Sequence, residues 1–137
     1  EHVDPRKALA GLSADDAFAR VGGYSHSIAR LVAHMHFWQQ RRLAFARGED
    51  PGMDPDWEPG ITDFPEVTRE EWPALLKEFL DSMADLAATA ADPQAMEREV
   101  FGDRNVGFML TSHACHNSYH LGQIVLMRVQ LGCWNPD

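Results

Sequence analysis

His113-Ala114-Cys115-His116-Asn117-Ser118-Tyr119-His120-Leu121-Gly122-Gln123-Ile124-Val125-Leu126-Met127-Arg128-Val129-Gln130-Leu131 is the stretch on which the reading turns. It contains no proline, and helical periodicity runs from about residue 105 to 131, where Gly132 supplies a stop and Pro136 follows. At ~100° per residue, His113, His116 and His120 fall within about 60° of one another. They share a stripe with Met109, Gln123, Ile124, Met127 and Leu131, the side of the helix that otherwise reads as core. Three imidazoles on such a face cost free energy unless each finds a partner. His116 and His120, at i and i+4, have the separation of two ligands to one metal on a helix, as in H-E-x-x-H. Asn117 stands where that motif has glutamate, which excludes the zincin protease reading.

Working outward, a second long helix is predicted over 25–47, free of proline and glycine until Gly48. It carries His34 and His36. His34 lies on the stripe of Leu31, Trp38 and Phe45, whereas His36 is turned about 200° away, with Ala29, Ala33 and Gln40. His34 therefore points inward, and with His116 and His120 it would make a three-histidine set with coordination positions left for water or substrate. His113 competes for the third place and otherwise stands behind the ligands or at the rim. The plainer reading is that an inward histidine is a core residue bonded to a carbonyl. An i, i+4 pair facing an inward histidine on another long helix tips the balance to metal.

Between these helices, residues 48–67 hold four prolines, three glycines and seven acids without one Lys or Arg, which predicts a long acidic loop, either a lid or a solvated crossover. A third long helix follows, opened by a capping box, Thr68-Arg69-Glu70-Glu71, with Val67 and Trp72 as a hydrophobic staple. It keeps helical period to Asp92-Pro93, although Pro73 sits uncomfortably late in the first turn. Asp4-Pro5 and Ser13 start two short helices near the N-terminus. Residues 93–104 read as irregular or partly helical, and no strand is expected. The class is all-α, a helical bundle. The crossover could span up to ~66 Å, more than the ~35 Å of the helix before it, so the two helices it joins are free to run parallel.

The 137 residues are 45% hydrophobic and 24% charged, which suits one domain spanning 1–137. A chain of this size builds a core without staples, so a metal would be functional rather than structural. The net charge is −9, of which the loop alone contributes seven negative charges. That argues against nucleic acid as a partner. No apolar run approaches the ~20 residues of a membrane span and no hydrophobic leader is visible, so the expectation is a cytoplasmic protein without membrane contact. Two cysteines make no disulfide framework, and Cys115 reads as a buried structural thiol. Val32, Phe37 and Leu43, off the His34 stripe, suggest an apolar face for a C2 homodimer.

Two blocks carry a resemblance. Residues Ser27-Ile28 and Leu31-Val32-Ala33-His34-Met35-His36-Phe37-Trp38-Gln39 form the first. His116-Asn117-Ser118-Tyr119-His120-Leu121-Gly122-Gln123-Ile124, with Arg128 and Leu131-Gly132-Cys133-Trp134, form the second. Together they resemble the signature blocks of the DinB-like superfamily of metalloenzymes over nearly the whole chain. The resemblance implies an up-down-down-up four-helix bundle and a divalent transition metal, zinc or nickel, held by His34, His116 and His120. It also implies a small-molecule substrate and a reaction in which a low-molecular-weight thiol, such as bacillithiol or mycothiol, is transferred to an electrophile or assists an isomerisation. Hydrolysis by metal-activated water and metal binding without catalysis remain open beside it. His113, Asn117, Gln123 and Trp38 are the candidates to orient the ligands or line the pocket.

Overall fold

The computed structural model describes residues 2–52 and 54–135, so Pro136 lies outside the described residues. Short helices α1 (Pro5–Leu9) and α2 (Ala14–Phe18) are followed by the long α3 (Ile28–Ala46) and α4 (Trp72–Ala90). A short α5 (Pro93–Glu97) and a two-stranded hairpin, β1 (Glu99–Phe101) and β2 (Arg104–Asn105), then lead into α6 (Val106–Leu131). The expected all-α class holds.

Most helix ends are set by local chemistry. Asp4, Ser13 and Ser27 each accept a hydrogen bond from a backbone N–H of the first turn they precede, and Asn105 does the same for Phe108 at the start of α6. Gly132, at φ 72°, closes α6 in the left-handed conformation that a side chain would resist. The capping box forms: Glu71 N donates to Thr68 Oγ1 at 3.3 Å, and Thr68 N donates to Glu71 Oε2 at 2.8 Å. The regular helix begins only at Trp72, so Pro73 is its second residue, where the missing N–H has no helical acceptor to lose. The expected difficulty at Pro73 disappears.

Three other expectations are corrected. Residues 93–104 are partly helical, as one reading had it, through α5, but the expected absence of strands fails: Gly102, at φ 62°, turns the chain so that Phe101 pairs with Arg104 and Glu99 with Asn105. Cys115 is exposed, because it sits across the helix from the buried histidines and nothing in the described chain packs on that side. Val32 and Leu43 are buried within the chain, so the face of α3 proposed for a homodimer is already used.

Side-chain pairs show how the long helices run. Along α3, His36 faces Glu78, Gln39 bonds to Phe79 and Ser82, and Arg47 faces Asp85, so the positions rise together and α3 and α4 are parallel. His34 meets His116 while Gln39 reaches back to His113, so α6 is antiparallel to both. The crossover therefore does what its length permits. Ile28, Val32 and Met35 of α3, Phe79 of α4, and Ile124 and Met127 of α6 form the dry centre between them. Arg128, buried and the only charged residue of α6, donates to Ala8 O, Ala10 O and Cys133 O, which fastens α1 to the far end of α6.

Candidate metal centre

His34, His116 and His120 converge where α3 and α6 cross. One ring nitrogen from each lies within 4.8 Å of the others, a group that could hold a metal ion. The Nε2 atoms of His34 and His116 are 2.9 Å apart, and the ring of His120 stands edge-on to both others at centroid distances of 4.8 and 4.6 Å. His34 Nδ1 donates to Asp63 O at 2.6 Å; a carbonyl only accepts, so the proton is on Nδ1 and the lone pair of Nε2 faces the cluster. Gln123 Oε1, 2.7 Å from His120 Nδ1, fixes that ring in the same sense. His116 Nδ1 is sealed from solvent without a partner.

Burial is the main cause of the low basicity of all three rings. It holds His34 and His120 below the usual imidazole value and, reinforced by the charges of His120 and His34, brings His116 to about 4. At neutral pH the cluster is therefore three uncharged nitrogen donors, the state in which imidazole binds a cation. Such a set suits zinc or nickel better than magnesium or calcium, which prefer oxygen.

The acidic loop turns out to be part of the site. Asp63 is buried; its Oδ2 accepts from Trp38 Nε1 at 3.2 Å and lies 3.7 Å from His34 Nδ1, and its Oδ1 accepts from Gly60 N at 2.7 Å. Phe64 stacks on His34 at 3.9 Å with planes 7° apart, and on its other flank against His26 at 4.1 Å. Arg30 fastens the same segment, donating to Phe64 O at 3.1 and 3.2 Å. The end of the loop nearest α4 is thus a packed wall rather than a solvated strap. Neither Asp63 nor Phe64 stood out in the sequence: one is among seven acids of the loop, the other an isolated aromatic before Pro65.

The other candidates separate. Trp38 and Gln123 touch the site, through Asp63 and His120. His113 is outside the cluster but borders its cavity, its ring 6.1 Å from that of His116, and it is buried with Asn117, whose Nδ2 donates to His113 Nε2 at 3.2 Å and lies 3.4 Å from Gln39 Oε1. Gln39, fully buried and passed over in the sequence, anchors this network by donating to Phe79 O and Ser82 Oγ. His36 lies on the opposite side of α3, facing Glu78 in a groove of ≈ 560 Å³. That groove is the larger one, but among the described residues it brings together no group of metal-ligating side chains. The cavity over the histidines measures ≈ 490 Å³ and is walled by Trp38, Arg42, Asp63, Phe64 and Tyr119. It has room for a small molecule beside an ion.

With this geometry in place, the family can be stated. The chain belongs to the DinB superfamily, whose model matches residues 4–124. No curated protein and no solved structure matched it. No described helix is long and apolar enough to cross a membrane.

Proposed function

We propose that the protein is a metal-dependent enzyme acting on a small molecule, with His34, His116 and His120 as the ligands of a zinc or nickel ion and transfer of a low-molecular-weight thiol as its reaction. The observation that carries this reading is the convergence of three uncharged imidazole nitrogens on the floor of an open cavity. A structural zinc site closes its fourth position with protein; three donors beside a cavity leave it for substrate. When bound there, the ion would act as a Lewis acid that lowers the pKa of a coordinated thiol.

The chain's own residues prepare that step. Asp63 and Gln123 set the direction of His34 and His120. Phe64 covers one face of His34 and keeps bulk water from it. Trp38 and Tyr119 give the cavity apolar walls. The choice of a thiol rests on the activities known in the superfamily. The test is a panel of thiols and electrophiles assayed with metal-loaded and chelated protein. Thiol-dependent turnover that requires metal is expected; turnover without thiol would replace transfer by hydrolysis, and no turnover would leave a metal-binding bundle.

The homodimer is retained with a different face. Apart from the buried Arg128, α6 carries no charge, and Phe108, Tyr119, Leu126 and Val129 are each more than half exposed. With Ser112, Cys115 and Gly122 they recur in steps of three and four, a stripe about 32 Å long. A Cβ at Gly122 would meet nothing in this chain, so the fold does not demand glycine there, whereas a second helix pressed against it would. Antiparallel pairing of two copies sets Cys115 against Gly122 and Ser112 against Leu126, small against small and small against large. Gly122→Cys is expected to form an intermolecular disulfide with Cys115 under mild oxidation; light scattering showing a monomer at tens of micromolar would refute the pairing. The net charge of −9 argues against a nucleic-acid partner, and a gel shift at physiological salt should show no specific complex.

A further inference from the structure

One charged wall of the cavity is not needed to hold an ion. Arg42 lies two turns along α3 from His34, its guanidinium carbon 5.0 Å over the ring of Trp38, and it lines the same cavity as the three histidines. The side chain is half-buried, and its Nε is sealed from solvent without a hydrogen-bond partner. Among the described residues no carboxylate lies within ion-pair distance of it. Asp63, the acid of this cavity, is turned to Trp38, Gly60 and His34. The charges that do reach Arg42 are those of Arg41 and Arg104, which, after burial itself, lower its pKa further.

A half-buried cation with like-signed neighbours is costly, and costlier to explain in a chain with 21 acids and a net charge of −9. Packing does not require the charge: a stacked apolar side chain would cover Trp38 as well. What a guanidinium offers beyond packing is a planar fork of N–H donors matched to one carboxylate.

We propose that the substrate of this cavity carries a carboxylate, that Arg42 binds it, and that this contact directs the other end of the molecule to the histidine cluster. The proposal rests on the reading of that cluster as the reactive centre, but its test does not. Trp38 holds the guanidinium plane on one side, so recognition falls to its edge. A single cation suits a monoanion better than a phosphate dianion.

The experiment is a calorimetric titration of chelated protein, so that no carboxylate–metal contact contributes, with benzoate and a series of short-chain carboxylates, each beside its uncharged amide. The expected result is at least tenfold tighter binding of one or more acids than of their amides, a preference that weakens with salt. Arg42→Gln should abolish the preference and Arg42→Lys restore part of it, with circular dichroism and metal uptake unchanged in both. Amides that bind as tightly as their acids, or an acid preference that survives in Arg42→Gln, would overturn the proposal. The acid–amide comparison needs no variant, so it decides even if Arg42→Gln does not fold. Failure of wild-type protein to take up zinc or nickel would instead overturn the reading of the centre and leave the arginine site standing.

Discussion

His113→Gln offers a quantitative test of how the buried polar layer behaves in acid. Desolvation, helped by the charges of His116 and Arg42, brings the His113 ring from 6.5 to about 3. A base whose folded pKa is depressed is bound by fewer protons in the folded chain than in the unfolded one, so stability is complete above 6.5 and falls as pH drops towards 3. Between pH 7 and pH 5 this one group removes about 2 kcal/mol from the free energy of unfolding. Glutamine keeps a polar side chain beside Asn117 but cannot titrate. Urea unfolding of chelated protein at the two pH values gives four stabilities. The loss on acidification should be smaller in His113→Gln by about 2 kcal/mol, whatever the substitution does to the baseline. His26, His34, His36, His116 and His120, also held low by burial, titrate in both proteins and cancel. An equal loss in the two would show that His113 is protonated or hydrated in the fold, and the network with Gln39 and Asn117 would have to be redrawn.

Elemental analysis should find stoichiometric metal in wild type and His36→Ala but not in His34→Ala, His116→Ala or His120→Ala, since two imidazoles hold an ion too weakly to compete with buffer. Chelation should leave the helical circular dichroism in place, because the core does not depend on the ion. Gln123→Leu should weaken metal binding about tenfold without unfolding the chain, by freeing the His120 ring. Phe79→Ala, which empties a fully buried position between α3 and α4, should cost about 3 to 5 kcal/mol in chemical denaturation.

What the sequence made legible was whatever is decided within one helix. The bounds of α6 follow from Asn105 and Gly132, local signals that no other part of the chain can overrule. The choice of His34 over His36 needed only the angle between them on one helix. Asp63 was out of reach for the opposite reason: seven acids share that loop, and the one that folds back is selected by the donors of Trp38 and His34 on α3, which no local pattern encodes. Gln39 was hidden because its partners are a carbonyl and a hydroxyl on another helix. Cys115 was misread by treating an apolar side chain as evidence of burial. On α6 the outward face is itself apolar, so hydrophobicity no longer distinguishes inside from outside. The hairpin had its signal in Gly102-Asp103, but strands of two and three residues are too short to show alternation.

His34 and His116 are 82 positions apart in the chain, while His116 and His120 are separated by a single helical turn. Closing so long a segment in an unfolded chain costs about 4 kcal/mol from its length alone. An ion arriving early in synthesis or refolding would therefore meet a two-point site on a nascent helix and leave it readily. The third point appears only when the first half of the chain has docked against the last. Retention of an ion would thus report completed assembly rather than local helix formation, and its rate of capture during refolding should follow the slow, long-range step instead of the fast appearance of helical signal.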